Sequence, residues 1–321
     1  LLNPPTRDNK KFIREGRCTQ EQGVWATLWP PISLVTIGAV LERDGHEVHI
    51  IDCPARGMSW DTLREEISRM LPGLVIWSTG TPSIHNDLSL AREIKDIDGE
   101  ILTAVFGTHV TVLDQQCLEQ FPHLDIIIRH EPELTVQELA RALQEGKSIA
   151  DLQGITCRDP SGAVRANPAR PFIENLDTLP FPAWHRIPVD NYRLPMKGRP
   201  FLIVAPQRGC PFNCSFCTCQ TYYGRRLRAR GIDSVLAELR YDMERFNVSD
   251  FFIWAETFVI DRDYVARLCT AILERGMRIS WTCNSRIDIG DDRLLGLMAR
   301  AGCWMISFGI DSEASRACRI A

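Results

Sequence analysis

The chain has 321 residues, of which 45% are hydrophobic and 24% charged, and its formal net charge is −4. This composition excludes a disordered or fibrous protein, and the length is sufficient for two domains. The acidic balance argues against nucleic acid as a partner. No apolar run approaches the roughly 20 residues of a membrane span, and the first residues lack signal-peptide features, so a cytoplasmic protein is expected.

The first half of the chain alternates strand and helix patterns. After a strand at the start, short buried strands are predicted at 47–52, 74–79, 101–106 and 124–129. Helices are predicted between them at 31–43, 61–70, 84–95 and 134–144. This alternation predicts an α/β fold with a doubly wound parallel sheet of five strands.

Ligands of such sheets bind beyond the carboxyl ends of the strands. Glycines, small hydroxyl residues and charged residues follow these ends, and the candidate binding residues are Pro5, Thr6, Thr79, Gly80, Thr81, Gly107, Thr108, His109, Glu131 and Glu133. The turn after the first strand has no Gly-x-Gly-x-x-Gly, which argues against a dinucleotide. This edge instead predicts a broad, flat ligand lying across the sheet.

The middle of the chain breaks this rhythm and is rich in proline, as in Leu179-Pro180-Phe181-Pro182. Such a composition is typical of a linker packed on a domain surface. We therefore predict a sheet domain at 1–147, a linker at 148–195 and a second domain at 196–321.

The second half begins a new alternation of strands and helices. Strands are predicted at 201–206, 250–254, 278–283 and 304–309, and helices at 232–246, 262–275 and 292–301. These four β/α units predict a partial (β/α) barrel. A complete barrel needs more sequence, so the chain is expected to be truncated at its C-terminus.

Four of the twelve cysteines fall within residues 210–219. Cys210, Cys214 and Cys217 have the spacing C-x3-C-x2-C, and three thiolates in one loop can hold three irons of a [4Fe–4S] cluster while leaving the fourth open. The loop follows a strand at its carboxyl end, where barrel enzymes place their chemistry. A structural zinc site with Cys219 as fourth ligand is the alternative, but such sites usually pair two separate cysteine knuckles. Cys219 is predicted to be a bystander, near enough to oxidise or to mis-ligate the cluster.

The cysteine loop resembles the C-x3-C-x-aromatic-C signature of the radical S-adenosylmethionine (SAM) superfamily, with Phe216 as the aromatic residue. Residues 250–258, 279–288 and 306–312 resemble the second to fourth barrel strands of the subgroup that includes the anaerobic Mg-protoporphyrin ester cyclase. The first half resembles the cobalamin-binding domain of that subgroup, from Asn3-Pro4-Pro5 onward. Where the family commonly has Gly-Glu-x-Glu, this chain has His130-Glu131-Pro132-Glu133.

The resemblance implies three cofactors: a [4Fe–4S] cluster on the three cysteines, SAM, and cobalamin along the ten residues of the sheet edge. It implies a SAM site made of Phe216, Glu256, Asn284, Arg286 and Asp311. Arg286 would pair with the SAM carboxylate and Asp311 would accept hydrogen bonds from the ribose, although both residues could instead form a surface ion pair. A one-electron reductant such as flavodoxin or ferredoxin is the implied protein partner.

Three further sequence features give less specific predictions of function. His109 is expected to line cobalamin rather than to ligate cobalt, because the usual Asp-x-His-x-x-Gly after the first strand is missing. The loop at Arg14–Cys18 is either an exposed loop or part of the active site. The basic run from Arg225 to Arg230 is expected to be a solvated loop or a contact to SAM or substrate, rather than a nucleic-acid site.

Three functions remain open. The first is a cobalamin-dependent radical SAM methyltransferase, in which methylcobalamin delivers a methyl group to an unactivated centre of a small molecule. The second is a cyclase or oxidative rearrangement enzyme like the Mg-protoporphyrin ester cyclase, without methyl transfer. The third is a corrinoid-binding module whose cysteines are structural.

Overall fold

The computed structural model describes residues 1–7, 12–14, 20–21, 28–159, 161–288 and 291–309. The chain divides into two compact units, the first made of Leu1–Ile173 and Leu179–Asn191 and the second of Glu174–Thr178 and Tyr192–Ala321. In the described ranges no helix is long and apolar enough to cross a membrane. The predicted SAM residue Asp311 lies outside the described residues.

The described part of the first unit contains a seven-stranded sheet and a two-stranded ribbon. Its strands are β1 Leu2–Asn3, β2 Phe12–Ile13, β3 Gln20–Glu21, β4 Ile51–Asp52, β5 Leu74–Ser78, β6 Leu102–Phe106, β7 Ile126–Ile128, β8 Ile155–Arg158 and β9 Val164–Ala166. The sheet order is β4-β1-β5-β6-β7-β8-β9, and β2 pairs with β3 in the ribbon. The pairs from β4 to β7 are parallel. These five parallel strands confirm the predicted doubly wound sheet.

Helices follow most of these strands, as the sequence predicts. They are α1 Ile32–Arg43, α2 Cys53–Arg56, α3 Trp60–Met70, α4 Ile84–Lys95, α5 Thr108–Val112, α6 Asp114–Gln120 and α7 Glu133–Gln144. Helix α1 starts directly after Pro31 and buries Leu34, Ile37 and Leu41 along one face. The start of α3 is fixed by Ser59, whose hydroxyl accepts the backbone N–H of Thr62 at 3.3 Å.

The order of the strands identifies the ligand-binding edge. The chain passes from β1 to β4 on one side of β1 and then returns to form β5 on the other side. The sheet order therefore reverses between β1 and β5, and in sheets of this kind the ligand binds beyond the carboxyl ends of the strands at that reversal. Residues Pro4–Thr6 and Thr79–Thr81 follow these two strands.

The predicted linker differs from the structure in its first third. Strands β8 and β9 extend the sheet beyond β7 in antiparallel fashion. Ile155, Thr156 and Cys157 are all buried there. The connection from β8 to β9 is short, as antiparallel neighbours allow. The proline-rich remainder packs on the first unit, where Trp184 is buried and Ala183 donates to the Val35 carbonyl at 3.0 Å.

The described part of the second unit contains four parallel strands in sequential order, β10-β13-β14-β15, and an antiparallel ribbon of β11 and β12. Its strands are β10 Phe201–Val204, β11 Gln207–Arg208, β12 Arg228–Ala229, β13 Asp250–Ile253, β14 Ser280–Ser285 and β15 Cys303–Phe308. Its helices are α8 Cys219–Tyr223, α9 Ile232–Phe246, α10 Arg262–Glu274 and α11 Asp292–Arg300. This arrangement confirms the four predicted β/α units.

Two aspartates fix the starts of helices α10 and α11. Asp261 accepts the N–H of Tyr264 at 2.9 Å at the start of α10, and Asp291 accepts that of Leu294 at 2.8 Å at the start of α11. Between helices and sheet, the buried Trp281 packs edge-on against Phe258. These contacts hold the sheet whose carboxyl ends carry the cysteine loop and the predicted SAM residues.

Candidate cofactor sites

The cysteine loop lies between the two strands of the β11–β12 ribbon, which connects the end of β10 to α9. Backbone hydrogen bonds close its base: the Arg230 N–H donates to the Pro206 carbonyl at 2.8 Å, and the Cys210 N–H donates to the Gly224 carbonyl at 3.2 Å. The loop is therefore fixed at both ends, directly beyond the carboxyl end of the first strand of the second unit.

The three cysteines differ in their exposure. Cys210 is buried, whereas Cys214 and Cys217 are half-buried. The backbone N–H of Cys219 points at the sulfur of Cys217 at 3.5 Å, and Thr257 Oγ1 lies 3.9 Å from the sulfur of Cys210. The Thr257 hydroxyl donates its hydrogen to the Glu256 carbonyl at 2.8 Å, so it accepts from the thiol of Cys210.

The donor set of this loop fits an iron–sulfur cluster because it offers three thiols and leaves room for an open iron. Among the described residues, no three Cys, His, Asp or Glu side chains stand together as a ready-made metal site. Cys210, Cys214 and Cys217 would hold the cluster, and the β11–β12 ribbon fixes the ends of their loop.

Cys219 is buried next to the first of these cysteines. Its thiol shares a hydrogen bond with Cys210, and this bond, followed by burial and by the charge of Glu256, raises the pKa of Cys219. A thiol that stays protonated is a poor ligand because metals bind the thiolate. The bystander role of Cys219 stays a prediction.

Glu256 links the loop to the neighbouring strand. It follows β13, is buried, and accepts the backbone N–H of Gly209 at 3.1 Å. A carboxylate oxygen is thus engaged with the residue that precedes Cys210. The structure brings Glu256 to the cysteine loop, and its contact with the SAM amino group stays a prediction.

Arg286 follows β14 and also lies against the loop. Its Nη1 is 3.9 Å from the sulfur of Cys214, and its guanidinium lies 4.2 Å from the ring centre of Phe212. Two hydrogen bonds of 3.0 and 2.9 Å join it to Asp288, and this contact lowers the pKa of Asp288. An ion pair on the loops therefore exists, but with Asp288 as the partner, and SAM would have to share this guanidinium.

The remaining predicted SAM residues are less closely grouped. Phe216 is 61% exposed at the tip of the loop. Asn284 is half-buried on β14 and pairs in register with Ser307 of β15. Both roles stay predictions.

The basic run near the loop is not a uniformly solvated surface. Arg225 and Arg226 are exposed, and Arg226 forms an ion pair of 2.6 Å with Glu174. Arg228 and Arg230 are buried instead: Arg228 donates to the Tyr223 carbonyl at 2.7 Å, and Arg230 pairs with Glu238. The prediction of a solvated loop is therefore wrong for these two arginines, which hold the loop and helix α9 together.

In the first unit, the structure brings the predicted cobalamin residues to the carboxyl ends of four adjacent parallel strands. Thr81 is exposed and His109 half-buried, whereas the others are buried, namely Pro5, Thr6, Thr79, Gly80, Gly107, Thr108, Glu131 and Glu133. Gly107 has no room for a side chain, because a Cβ there would lie 2.1 Å from the Thr79 carbonyl oxygen. Glu131 accepts the N–H of Ile173 at 2.7 Å.

His109 lies in the first turn of α5, and its Nδ1 is 3.1 Å from the hydroxyl of Thr81. Burial, together with the charge of His85, lowers its pKa. The imidazole is therefore neutral at neutral pH, which suits a residue that lines a cofactor.

We expect the first unit to lose stability in mildly acidic solution through His109. Because its folded pKa lies below the ordinary value of 6.5, the unfolded chain binds the proton more readily than the folded one. The stabilisation is complete above that ordinary value and is lost as the pH falls through the folded pKa. Thermal melts of the cofactor-free protein between about pH 5 and 8 should show a shallower acid loss in His109→Gln. Equal pH slopes in the two proteins would contradict this.

A buried ion pair at the same edge was not foreseen. Arg14 and Asp87 have side chains only 1% and 0% exposed, and two hydrogen bonds of 2.7 Å each join them. The Nη1 of Arg14 also donates to Asn3 Oδ1 at 3.0 Å and to the Pro4 carbonyl at 3.1 Å. The exposed-loop prediction is thus wrong at Arg14, and residues 15–18 lie outside the described residues.

Asp87 accepts three further hydrogen bonds. It accepts hydrogen bonds from Thr79 Oγ1 at 2.9 Å, Ser83 Oγ at 2.6 Å and Asn86 Nδ2 at 3.1 Å. The hydroxyl of Thr79 therefore points into the protein, and its backbone N–H donates to the Phe106 carbonyl at 2.9 Å. The sequence gives one indication of this buried carboxylate. Asp87 interrupts the apolar face that Ile84, Leu88 and Ala91 form on α4.

Comparison with known proteins assigns a family to each half of the chain. Residues 23–140 match the family model of the B12 binding domain, and residues 204–320 match that of the radical SAM superfamily. An uncharacterized methyltransferase of Pyrococcus horikoshii is 30% identical over 293 residues, which are 91% of this chain and 63% of that protein. The anaerobic magnesium-protoporphyrin IX monomethyl ester cyclase of Rubrivivax gelatinosus is 30% identical over 295 residues, covering 89% of this chain and 52% of the cyclase.

A solved structure shares the fold of nearly the whole chain. It is the radical SAM methyltransferase TsrM from Kitasatospora setae with cobalamin and a [4Fe–4S] cluster bound. It superposes with a TM-score of 0.72 at 20% identity, over 90% of this chain and 59% of TsrM.

Two features define the class of this protein. The first is a sheet domain that matches the B12 binding family, and the second is a cysteine loop on parallel β/α units that match the radical SAM family. The chain belongs to the B12-binding radical SAM proteins, and its cofactors are a [4Fe–4S] cluster, SAM and cobalamin. It spans 52–63% of the length of the two curated relatives named above.

Proposed function

We propose that this protein is a cobalamin-dependent radical SAM methyltransferase that acts on an unactivated centre of a small molecule. The observation that carries the proposal is the open three-cysteine loop at the carboxyl end of β10, in one chain with a B12 binding domain. When bound, the cluster supplies the electron that cleaves SAM, and cobalamin carries the methyl group. Methyl transfer is supported by the 30% identity to the uncharacterized Pyrococcus methyltransferase and by the fold shared with the methyltransferase TsrM.

The residues of the second unit would bind and orient SAM. Arg286 supplies a guanidinium for the SAM carboxylate, beside Cys214. Glu256 is a buried carboxylate that accepts hydrogen bonds, as a ligand amino group requires, and Asn284 would contact the ribose. Phe216, at the loop tip, would cover the adenosine side and help to exclude water.

Cobalamin would lie across the carboxyl ends of β1, β5, β6 and β7, on the ten residues predicted for it. His109 would line the corrin edge in its neutral form, because its pKa is lowered. Its Nδ1 lies 3.1 Å from Thr81 Oγ1, and lining rather than ligation of cobalt is favoured by the sequence, which has no Asp-x-His-x-x-Gly after the first strand.

The electron donor would be flavodoxin or ferredoxin in the cytoplasm. The ten cysteines in the described part of the chain are free thiols. Free thiols suit a reducing compartment, where such one-electron carriers operate.

A cyclase or oxidative rearrangement without methyl transfer is the second candidate. It is favoured by the 30% identity to the Rubrivivax cyclase. Both candidate functions need the same three cofactors, so only the reaction products distinguish them.

The test is a product assay on the reconstituted protein with SAM and a one-electron reductant. Formation of S-adenosylhomocysteine together with 5′-deoxyadenosine supports methyl transfer. Deoxyadenosine alone supports the cyclase type. Neither product, in a protein that still binds cobalamin, would reject both and leave a corrinoid-binding module with structural cysteines.

A further inference from the structure

We propose that the buried Arg14–Asp87 pair is a positioning device that preorganises the switch-point edge of the first unit for cobalamin; the proposal rests on cobalamin binding by this unit. The pair lies where the sheet order reverses between β1 and β5. Neither residue is among the ten that were predicted to contact the cofactor, so its role is to hold those residues.

The pair joins four separate segments of chain. Arg14 comes from the segment after β2 and contacts Asn3 and Pro4 at the end of β1. Asp87 belongs to α4 and accepts from Thr79 at the end of β5 and from Ser83 before α4. The sequence separation of the pair is 73 residues, so the ion pair fixes segments that have no local reason to stay together.

Backbone groups at the edge are fixed by the same network. The Pro4 carbonyl accepts from Arg14 at 3.1 Å, and the Pro5 carbonyl accepts from Asn86 at 3.0 Å. Both carbonyls are thus already paired within the protein, and this pairing fixes the backbone that leads into Thr6. A rigid edge binds a large planar ligand better than a mobile one, because less conformational entropy is lost on binding.

Stability alone gives no reason to keep such a pair. Taking two charges out of water costs energy, and replacement of a buried ion pair by apolar side chains is often neutral or stabilising. What such a pair provides is a fixed geometry, since guanidinium and carboxylate meet in one bidentate arrangement. The location of this geometry, beside Thr79 and Gly80, points to the cofactor edge.

An ion pair at the amino ends of the strands in the same sheet serves as a matched control. Lys95 and Asp125 form an ion pair of 2.8 Å with side chains 17% and 28% exposed. Asp125 also accepts the N–H of Thr103 at 2.8 Å, close to the amino end of β6. This carboxylate likewise joins separate segments, but it lies away from the carboxyl ends of the strands.

The experiment titrates hydroxocobalamin into the full chain and follows the corrin absorbance, at a temperature where circular dichroism shows every variant folded. Asp87→Asn should weaken binding about tenfold or more, because Asn cannot pair both nitrogens of Arg14 and leaves its charge buried. Ser83→Ala should weaken it about threefold, and the control Asp125→Asn should stay within about twofold of the wild type. If Asp87→Asn does not fold, Ser83→Ala and Arg14→Lys carry the test.

Hydrogen exchange distinguishes preorganisation of the binding edge from a general contribution to stability. In Asp87→Asn, backbone amides of residues 79–87 should lose protection without cobalamin and regain it when cobalamin is bound. Wild-type affinity in all three edge variants, or an equal loss in Asp125→Asn, would overturn the positioning role alone. A wild-type protein that does not bind hydroxocobalamin would instead refute cobalamin binding itself.

Discussion

Replacing Cys214 with alanine is expected to abolish SAM cleavage while hydroxocobalamin still binds. A [4Fe–4S] cluster needs three protein thiolates from this loop, and with two the cluster is lost on reconstitution. The first unit contains none of the loop, so its binding edge is unchanged. The measurements are iron content, the broad absorbance near about 400 nm and the formation of 5′-deoxyadenosine. SAM cleavage that persists in this variant would refute the cluster assignment.

Two further cysteine variants sharpen this result. Cys269→Ala is the matched control, because Cys269 is buried on α10 outside the loop and burial raises its pKa to about 12. It should retain iron and SAM cleavage at the cost of a small cavity. Cys219→Ala distinguishes three ligands from four: a three-cysteine cluster survives this change, whereas a four-cysteine zinc site loses its metal.

The secondary structure could be predicted where local pattern and packing agree. Helix α9 has the predicted bounds of 232–246, because its apolar residues recur at helical spacing and Gly231 and Asn247 flank it. Strands β10, β13 and β15 were also predictable, since each is a short, mostly apolar run before a polar loop. Strand β14 is more polar and lies two residues later than the predicted 278–283. Strands β8 and β9 were not predicted, because they are short and lie in a segment whose proline content is typical of a linker.

The candidate sites show the same division. The cysteine spacing could be recognised because the ligands lie within eight residues of one another in a single loop. The engagement of Glu256 with Gly209 joins positions 47 apart, and that of Arg14 with Asp87 joins positions 73 apart. No local pattern encodes such pairs. Only the fold turns Thr79 inward and leaves Thr81 exposed, although both hydroxyls lie in one short loop.

Replacing Gly209 with alanine is the second change with a large expected effect. Gly209 has a φ of +90°, and a Cβ there would lie 2.2 Å from the carbonyl oxygen of Arg226. The positive φ costs about 1–2 kcal/mol for a residue with a side chain. Forcing atoms into such a contact costs about a further 1–3 kcal/mol. We expect cluster content and SAM cleavage to fall by about tenfold or more, because 1.4 kcal/mol corresponds to roughly a factor of ten.

The physical reason is the position of Gly209 between two anchors. Its N–H donates to Glu256 at 3.1 Å, and the next residue is the ligand Cys210, whose N–H donates to the Gly224 carbonyl. Relief of the clash with Arg226 must therefore move the loop away from Glu256, away from β12, or both. Either movement displaces Cys210 relative to the two other thiols.

Gly276→Ala separates this clash from the cost of backbone strain. Gly276 follows α10 with a φ of +60°, and nothing lies within 4 Å of a Cβ placed there. This variant should lose about 1 kcal/mol of stability and keep its cluster. If both glycine variants lose iron equally, the strain of a positive φ alone explains the effect, and the close approach of Gly209 to Arg226 has no specific role. If Gly209→Ala alone loses iron, the ribbon at the base of the loop sets the position of Cys210 before the cluster is present.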